Sequence, residues 1–459
     1  MSSVDGLDGP RRNTLFRAAR SDWLGWMLLV LGLLVFLGRV LLVDGVLGDS
    51  DILLYYYPVK SAILGLWDHG RSLAWNPFLG EGQPLAGNPE HELAYPLTWP
   101  MFFIPLYRAL ALSQAVHFVV AWFGVRRLVA RLGCSRAAGL LAAVTWSFGA
   151  LWISAMHFFP IFFGLAWVPW LAAGAARRSR GLGDIVSASL AGGLLLLVGE
   201  PVTILSGALG YAVIFATSPM TRGRLGRAAV TAVFCVGLGA ATLVPAVSLA
   251  RRSVRAAGIE LSSAEELSFP PLRLVELLAA RATGNPVPHT DRDYWGWRLY
   301  PEHRWPFFTG LYCGAFFLPL FLLGAVRAHR GRVLFVGVAI AFVFALGSHG
   351  GVWSALRGAL PLWRGVRYPE KFLAVSMLLA TSAMAIGFDI VRRSRSAARF
   401  VLLWTGSFAA AFTVCALFSW PFGPLSEVAR WAVRPSGHRP SSRHGHPAVL
   451  GQASRAIRR

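Results

Sequence analysis

Stretches of about twenty apolar residues, each long enough to cross a bilayer once, recur along this chain, and alternate gaps between them are short and filled with arginine. That alternation leaves few folds open. A backbone inside lipid must satisfy its own N–H and C=O groups, and a helix does so within one segment. With 55% hydrophobic and only 14% charged residues spread over 459 positions, the apolar surface exceeds what a water-soluble core can hide. The pattern therefore predicts an all-α polytopic membrane protein.

Arginine sets the orientation. Arg11, Arg12, Arg17 and Arg20 precede the first run, residues 23–43, which is too long for a signal-peptide core and reads as a retained anchor with a cytoplasmic N-terminus. The second run, 109–129, ends in Arg126, Arg127 and Arg131. Runs 137–155 and 158–176 turn at Met156-His157 and return to Arg177, Arg178 and Arg180. The next stretch, 185–217, is broken by Gly199-Glu200-Pro201 into a hairpin or a pair of half-helices. Further arginine gaps follow Thr217, Val326 and Val391, giving about eleven spans in all. The formal charge of +22 is thus an orientation signal and does not point to nucleic acid.

This count divides the chain into a cytoplasmic tail (1–22), the first span (23–43), a long outer loop (44–107) and a bundle (108–420). The bundle carries outer loops at 250–306 and 347–371. The remainder, 421–459, is polar, basic and Pro/Ser-rich, and reads as disordered.

Chemistry has few places to sit. The short cytoplasmic gaps hold no P-loop and no GxGxxG between strand and helix. Cys134, Cys235, Cys313 and Cys415 have neither disulfide context nor metal-site spacing, so no cofactor or metal site is assigned. Asp291 and Asp293 leave a divalent cation open through oxygen ligation, though two acids in a polar loop are more commonly solvated. The three long polar segments all fall on the predicted outer face, and the first is expected to be ordered and partly helical. An enzyme working there would take its activated substrate from a lipid carrier.

The first outer loop reads Asp49-Ser50-Asp51, then Tyr55-Tyr56-Tyr57-Pro58, Trp75-Asn76-Pro77, Gly82-Gln83-Pro84, Asn88-Pro89 and Tyr95-Pro96. With Gly199-Glu200-Pro201, Ser268-Phe269-Pro270-Pro271 and Arg367-Tyr368-Pro369-Glu370-Lys371-Phe372 further on, it resembles the bacterial YfhO family. That family is grouped with the multi-spanning glycosyltransferases of the C-type (GT-C) fold. The resemblance runs from the first helix to about the tenth; the tail departs from it, since relatives commonly continue with further hydrophobic segments. It implies transfer of a sugar from a polyprenyl-phosphate donor to a cell-envelope glycan or lipid acceptor, at the outer face of the bacterial cytoplasmic membrane.

Such a transfer needs a carboxylate to take the acceptor's proton and cations to hold the departing phosphate. In the C-type fold the first outer loop supplies that acid, and Asp51 stands at the matching place, with Asp49 as partner or substitute. The competing role for both is to cap the amphipathic segment 52–67. Arg367 and Lys371, four apart at the mouth of a span, would share a face of a helical turn and could hold the phosphate, or could merely snorkel at the interface. Glu370 between them is a further candidate substrate contact, with simple pairing to one of the two cations as the alternative. Glu200, at the helix break, is a functional candidate by position. Tyr57, Trp75, Asn76, Asn88 and His157 complete the expected substrate contacts, with His117 a weaker candidate. Tyr55 to Tyr57, Trp295 and Trp297 could stack on sugars or form an interfacial belt. Two other readings stay open: a transporter or lipid flippase, and a non-catalytic envelope assembly factor.

Overall fold

The computed structural model describes residues 22–43, 51–286, 294–300 and 305–419, and nearly all its regular structure is helical. Asp49, Asp291 and Asp293, the N-terminal arginines and the polar tail lie outside the described residues.

In chain order the helices are α1 (Trp23–Leu42), α2 (Tyr57–Asp68), α3 (Leu106–Arg131), α4 (Arg136–Phe148), α5 (Ala150–Ala155), α6 (Phe159–Ala175), α7 (Leu182–Val198) and α8 (Pro201–Ala216). There follow α9 (Arg222–Arg251), α10 (Leu261–Glu265), α11 (Phe317–Arg327), α12 (His329–Ala345), α13 (Val352–Ala359), α14 (Leu373–Arg393) and α15 (Arg395–Ser419). Five segments are long and apolar enough to cross a membrane: α1, α3, α4 with α5, α9, and Pro369–Arg393. A sixth arises if α11 and α12, bent by 118° at their junction, count as one; α6, α7 and α8 are apolar but shorter. The exposed faces of α1 and α9 carry Leu31, Val35, Val233, Phe234 and Val244, a surface suited to lipid contact.

Within the unit ending at Leu402, α3 packs on α4 and α6, α7 lies against α6 and α9, and α14 is held by α11, α12 and α4. Small residues make the tightest crossing. A Cβ at Gly324 would fall on the Ala383 carbonyl and one at Gly387 on the Leu320 carbonyl, so α11 and α14 meet backbone to backbone. Phe118, Trp152, Phe162 and Phe163 fill the centre of the α3–α6 group. Residues from Leu403 onward belong to a second unit, helical through Ser419.

One expectation holds and one changes. The break at Gly199-Glu200 is real, with Gly199 left-handed at φ 76° and helices of 17 and 16 residues on either side. The apolar run 307–326, which the hydropathy predicts to be a full span, is however helical only from Phe317. The backbone N–H groups of Phe307 and Phe308 donate to Glu370, and the Phe308 carbonyl accepts from Arg273. Backbone groups committed to those side chains cannot join a helix ladder.

The described residues of the first loop, from Asp51 on, are partly helical. A π-helical turn, Ile52–Tyr56, runs directly into α2, and a short hairpin pairs Trp75 with Pro84 and Asn76 with Gln83.

Candidate functional site beneath the first loop

Asp51 starts the π-helical turn with helical dihedrals (φ −70°, ψ −33°) and its side chain does not cap the helix. The capping role that competes with a chemical one is therefore not what this structure uses it for. One turn on, Tyr56 is buried against Phe159, ring centroids 5.0 Å apart. Its hydroxyl is pushed well above the usual range by burial and then by the carboxylates of Glu90, Glu92 and Asp51. Several acids of the loop thus act on one point.

A buried ion pair fastens the loop. Lys60 Nζ lies 2.9 Å from Glu92 Oε2, with side-chain exposures of 1% and 0%. Glu92 closes the 3₁₀ turn Pro89–His91 with φ 55°, a left-handed value uncommon outside glycine. Its carbonyl accepts from Thr98 Oγ1 at 3.1 Å, while Oε1 has no hydrogen-bond partner among the described residues. Burial pushes this carboxyl's pKa up, against the pull of Lys60.

Asn88 organises the same turn. Its Oδ1 accepts from the Glu90 N–H at 3.1 Å, and its Nδ2 donates to Tyr55 Oη at 3.3 Å and to His91 Nε2 at 3.2 Å. With Nε2 accepting, His91 Nδ1 donates to the Leu85 carbonyl at 3.1 Å, which fixes a neutral tautomer. Burial holds the His91 pKa below its ordinary value. Tyr55 is pushed up to about 12, mainly by burial and then by Glu90.

This turn rests on the broken helix. Pro89 sits against Gly199 with no space for a Cβ between them. The next residue, Glu200, caps α8: its Oε2 accepts from Thr203 N–H and Oγ1, each at 2.6 Å. Its Oε1 lies 2.9 Å from Lys371 Nζ, with side-chain exposures of 8% and 11%. Lys371 also lies 5.1 Å from the Phe307 ring centroid and 5.2 Å from that of Tyr368, and Arg367 lies 4.6 Å from the latter.

The expected helical turn spanning Arg367 and Lys371 is absent. Tyr368 is left-handed at φ 64°, and helix begins only at Pro369. Each of the two cations lies against the Tyr368 ring. Glu370 pairs with neither. It points to Arg273, whose guanidinium is fully buried and reaches Glu370 Oε1 at 2.8 Å, Glu276 at 2.7 and 2.8 Å, and the Phe308 carbonyl at 2.8 Å. Glu370 also accepts from Tyr300 Oη at 2.8 Å. A carboxylate with 0% exposure and these donors around it is a structural member of the protein, with no surface for a substrate.

Other expected residues fall elsewhere. Trp75 is half-exposed on the hairpin, over Gly82, and Asn76 is buried, its Oδ1 accepting from Phe78 N–H at 2.9 Å in a local turn. Tyr57 begins α2, and His157 sits half-buried in the turn before Phe158, whose ring stacks on Phe307 at 4.3 Å. His117 is fully buried within α3, bonded to Tyr95 Oη at 2.6 Å. Trp295 is exposed, and Arg298 lies 5.2 Å from the Trp297 ring. Among the described residues no group of three or more His, Cys, Asp or Glu side chains could hold a metal ion.

Sequence reasoning missed Glu92, Arg273 and Glu276, and did not assign Lys60 a role. One signal was available: Lys60 and Lys371 are the only lysines in the chain, and each is in a near-buried ion pair. Compared with known proteins, the sequence matches no family model and no curated protein.

Proposed function

We propose that this chain is a glycosyltransferase of the C-type (GT-C) architecture, related to the YfhO family, with about eleven spans once the shorter apolar helices are counted. In this reading the N-terminus is cytoplasmic and the Asp51-to-Pro100 loop lies outside the bacterial cytoplasmic membrane, following the arginine distribution.

The observation that carries the reading is the convergence of the first loop on the helix break: Pro89 on Gly199, and Glu200 on Lys371 beside Arg367. It supports the reading because it brings a loop turn to the helix break that carries a carboxylate paired with one of the two candidate phosphate-binding cations. Asp51, with Asp49 as its neighbour, takes the proton of the acceptor hydroxyl as the acceptor oxygen bonds to the sugar's anomeric carbon. The bond from that carbon to the carrier's phosphate oxygen breaks, and polyprenyl phosphate leaves. Arg367 supplies a forked donor and Lys371 a point charge for the phosphate. Glu200 occupies Lys371 until the donor arrives.

A second reading has its own support. An acidic residue between two short apolar helices, paired with a lysine, also suits a transporter or flippase. The purified protein in liposomes, given a labelled polyprenyl-phosphate sugar and envelope lipid acceptors, separates them. A labelled glycosyl product supports the enzyme; movement of the labelled lipid between leaflets with no product supports the flippase.

A further inference from the structure

On the arginine-rich face, opposite in sequence logic to the first loop, Arg177, Arg178, Arg180 and Arg330 line one cavity of about 400 Å³. A second cavity of about 460 Å³ shares Arg177 and Arg330 and adds His329 and residues 216–219. These volumes fall in the roughly 300–1,000 Å³ range of small-molecule sites. Neither is lined by a carboxylate.

The usual excess of arginine on one face explains charge there but not this arrangement. Neighbouring arginines on the same face are neutralised: Arg126 by Asp22 at 2.7 Å, and Arg127 and Arg131 by Asp184 at 2.7 and 2.5 Å. Among the described residues no carboxylate pairs with Arg177, Arg178, Arg180 or Arg330. The like charges are held near one another by backbone contacts. Arg131 donates to the Arg178 carbonyl at 3.0 Å, Arg330 to the Leu132 carbonyl at 2.6 Å, and Arg180 Nε to the Arg177 carbonyl at 3.3 Å. Arg224 ties Ala175, Phe215, Ser218 and Pro219 together through their carbonyls, beside the 216–219 lining of the second cavity.

A helix end adds to the positive potential. The 17-residue α12 begins at His329 with no side-chain cap and no acid in its first turn, and carries Arg330 and Arg332 there. Cations at a helix N-terminus oppose the macrodipole, and an anion would relieve both. We propose that this cavity binds a phosphate group, supplied by the headgroup of an anionic membrane lipid reaching in between the 177–180 loop and the start of α12.

Native mass spectrometry and thermal unfolding of the full chain with phosphatidylglycerol, phosphatidylcholine or inorganic phosphate test this. Arg177→Gln is the first variant, because among the described residues the Arg177 side chain makes no hydrogen bond or ion pair that its loss would break. Arg177→Gln/Arg330→Gln is the second, and Arg395→Gln, an exposed charge outside the cavities, is the control. The wild type should bind phosphatidylglycerol in preference to phosphatidylcholine. Arg177→Gln should weaken that binding at least about tenfold and the double variant further, with Arg395→Gln within about twofold of wild type. Equal losses in Arg177→Gln and Arg395→Gln, or no preference for the anionic lipid, overturn the site. Stabilisation by inorganic phosphate without any by phosphatidylglycerol overturns the lipid source.

Discussion

Pro89 and Gly199, distant in sequence, lie in contact with no room for a side chain between them, and Gly199 is left-handed at φ 76°. Gly199→Ala therefore meets two obstacles, a left-handed strain of about 1–2 kcal/mol and a collision with the proline ring. The variant should unfold at lower temperature and show faster proteolysis within residues 71–94, because the loop loses its seat. Unchanged cleavage there would mean that the Pro89–Gly199 contact does not seat the loop.

Arg273 offers a test of the buried network. Arg273→Met strands the Glu276 and Glu370 carboxylates without a cation, and breaking a buried pair in this way costs about 3–5 kcal/mol. Arg273→Lys keeps the charge but loses the fork that meets Glu276 twice, so it should recover only part of the loss. Thermal unfolding in detergent reads both. If Arg273→Lys equals wild type, charge alone holds the network.

His91 predicts a pH dependence. Its folded pKa is depressed below 6.5, chiefly by burial, so its contribution to stability is present above 6.5 and is lost as pH falls through the lower folded value. Lys60 reinforces that depression and Glu90 opposes it. Glu92 has the opposite sign: its folded pKa is raised above 4.5, so its contribution is lost as pH rises through that raised value. The difference between wild type and His91→Gln isolates the histidine. Wild type should lose protease resistance in the first loop on acidification below 6.5, and His91→Gln should lose less over the same range.

The helical, apolar character was legible because periodic arginine gaps and lipid-length runs are local features. The Gly199 break and the partly helical character of the described first-loop residues were legible for the same reason: Gly-Glu-Pro and dense Tyr-Pro, Asn-Pro and Gln-Pro steps impose local geometry. Partners across the chain were not. Glu370 stands beside Lys371 in sequence, yet its charge is met by Arg273, 97 residues away, and nothing local distinguishes Arg273 from an interface arginine. The same blindness explains the non-helical stretch at Phe307, whose composition favours a span while its backbone serves Glu370.

Lys371 gives a prediction whose direction is unusual. In the proposed mechanism Glu200 competes with the donor phosphate for Lys371, so Glu200→Gln should lower the KM for the lipid-phosphate donor. The amide oxygen can still accept from Thr203, so α8 stays capped. Lys371→Met should raise that KM, as a charge-assisted bond contributes about 1.5–3 kcal/mol. Equal KM values in wild type and both variants would leave the pair a purely structural clamp.

Asp51 carries the last prediction, and the structure simplifies it. Asp51 makes no side-chain cap to the turn that follows, so the melting temperature of Asp51→Asn, measured alongside its activity, reports its other contacts without a lost cap. A general base contributes a factor of about 100 to 10,000 in rate, so the same variant should lose transfer activity on that scale with donor KM little changed. Asp49→Asn, measured in parallel, shows whether the neighbour shares the role, and Glu90→Gln does the same for the second carboxylate that bears on Tyr56. A large loss at Glu90 with none at Asp51 would move the base from the start of the loop to the Asn88–His91 turn, directly over Gly199 and Glu200. Full transfer activity in all three variants would remove the carboxylate base and leave the Glu200–Lys371 break to be explained by transport.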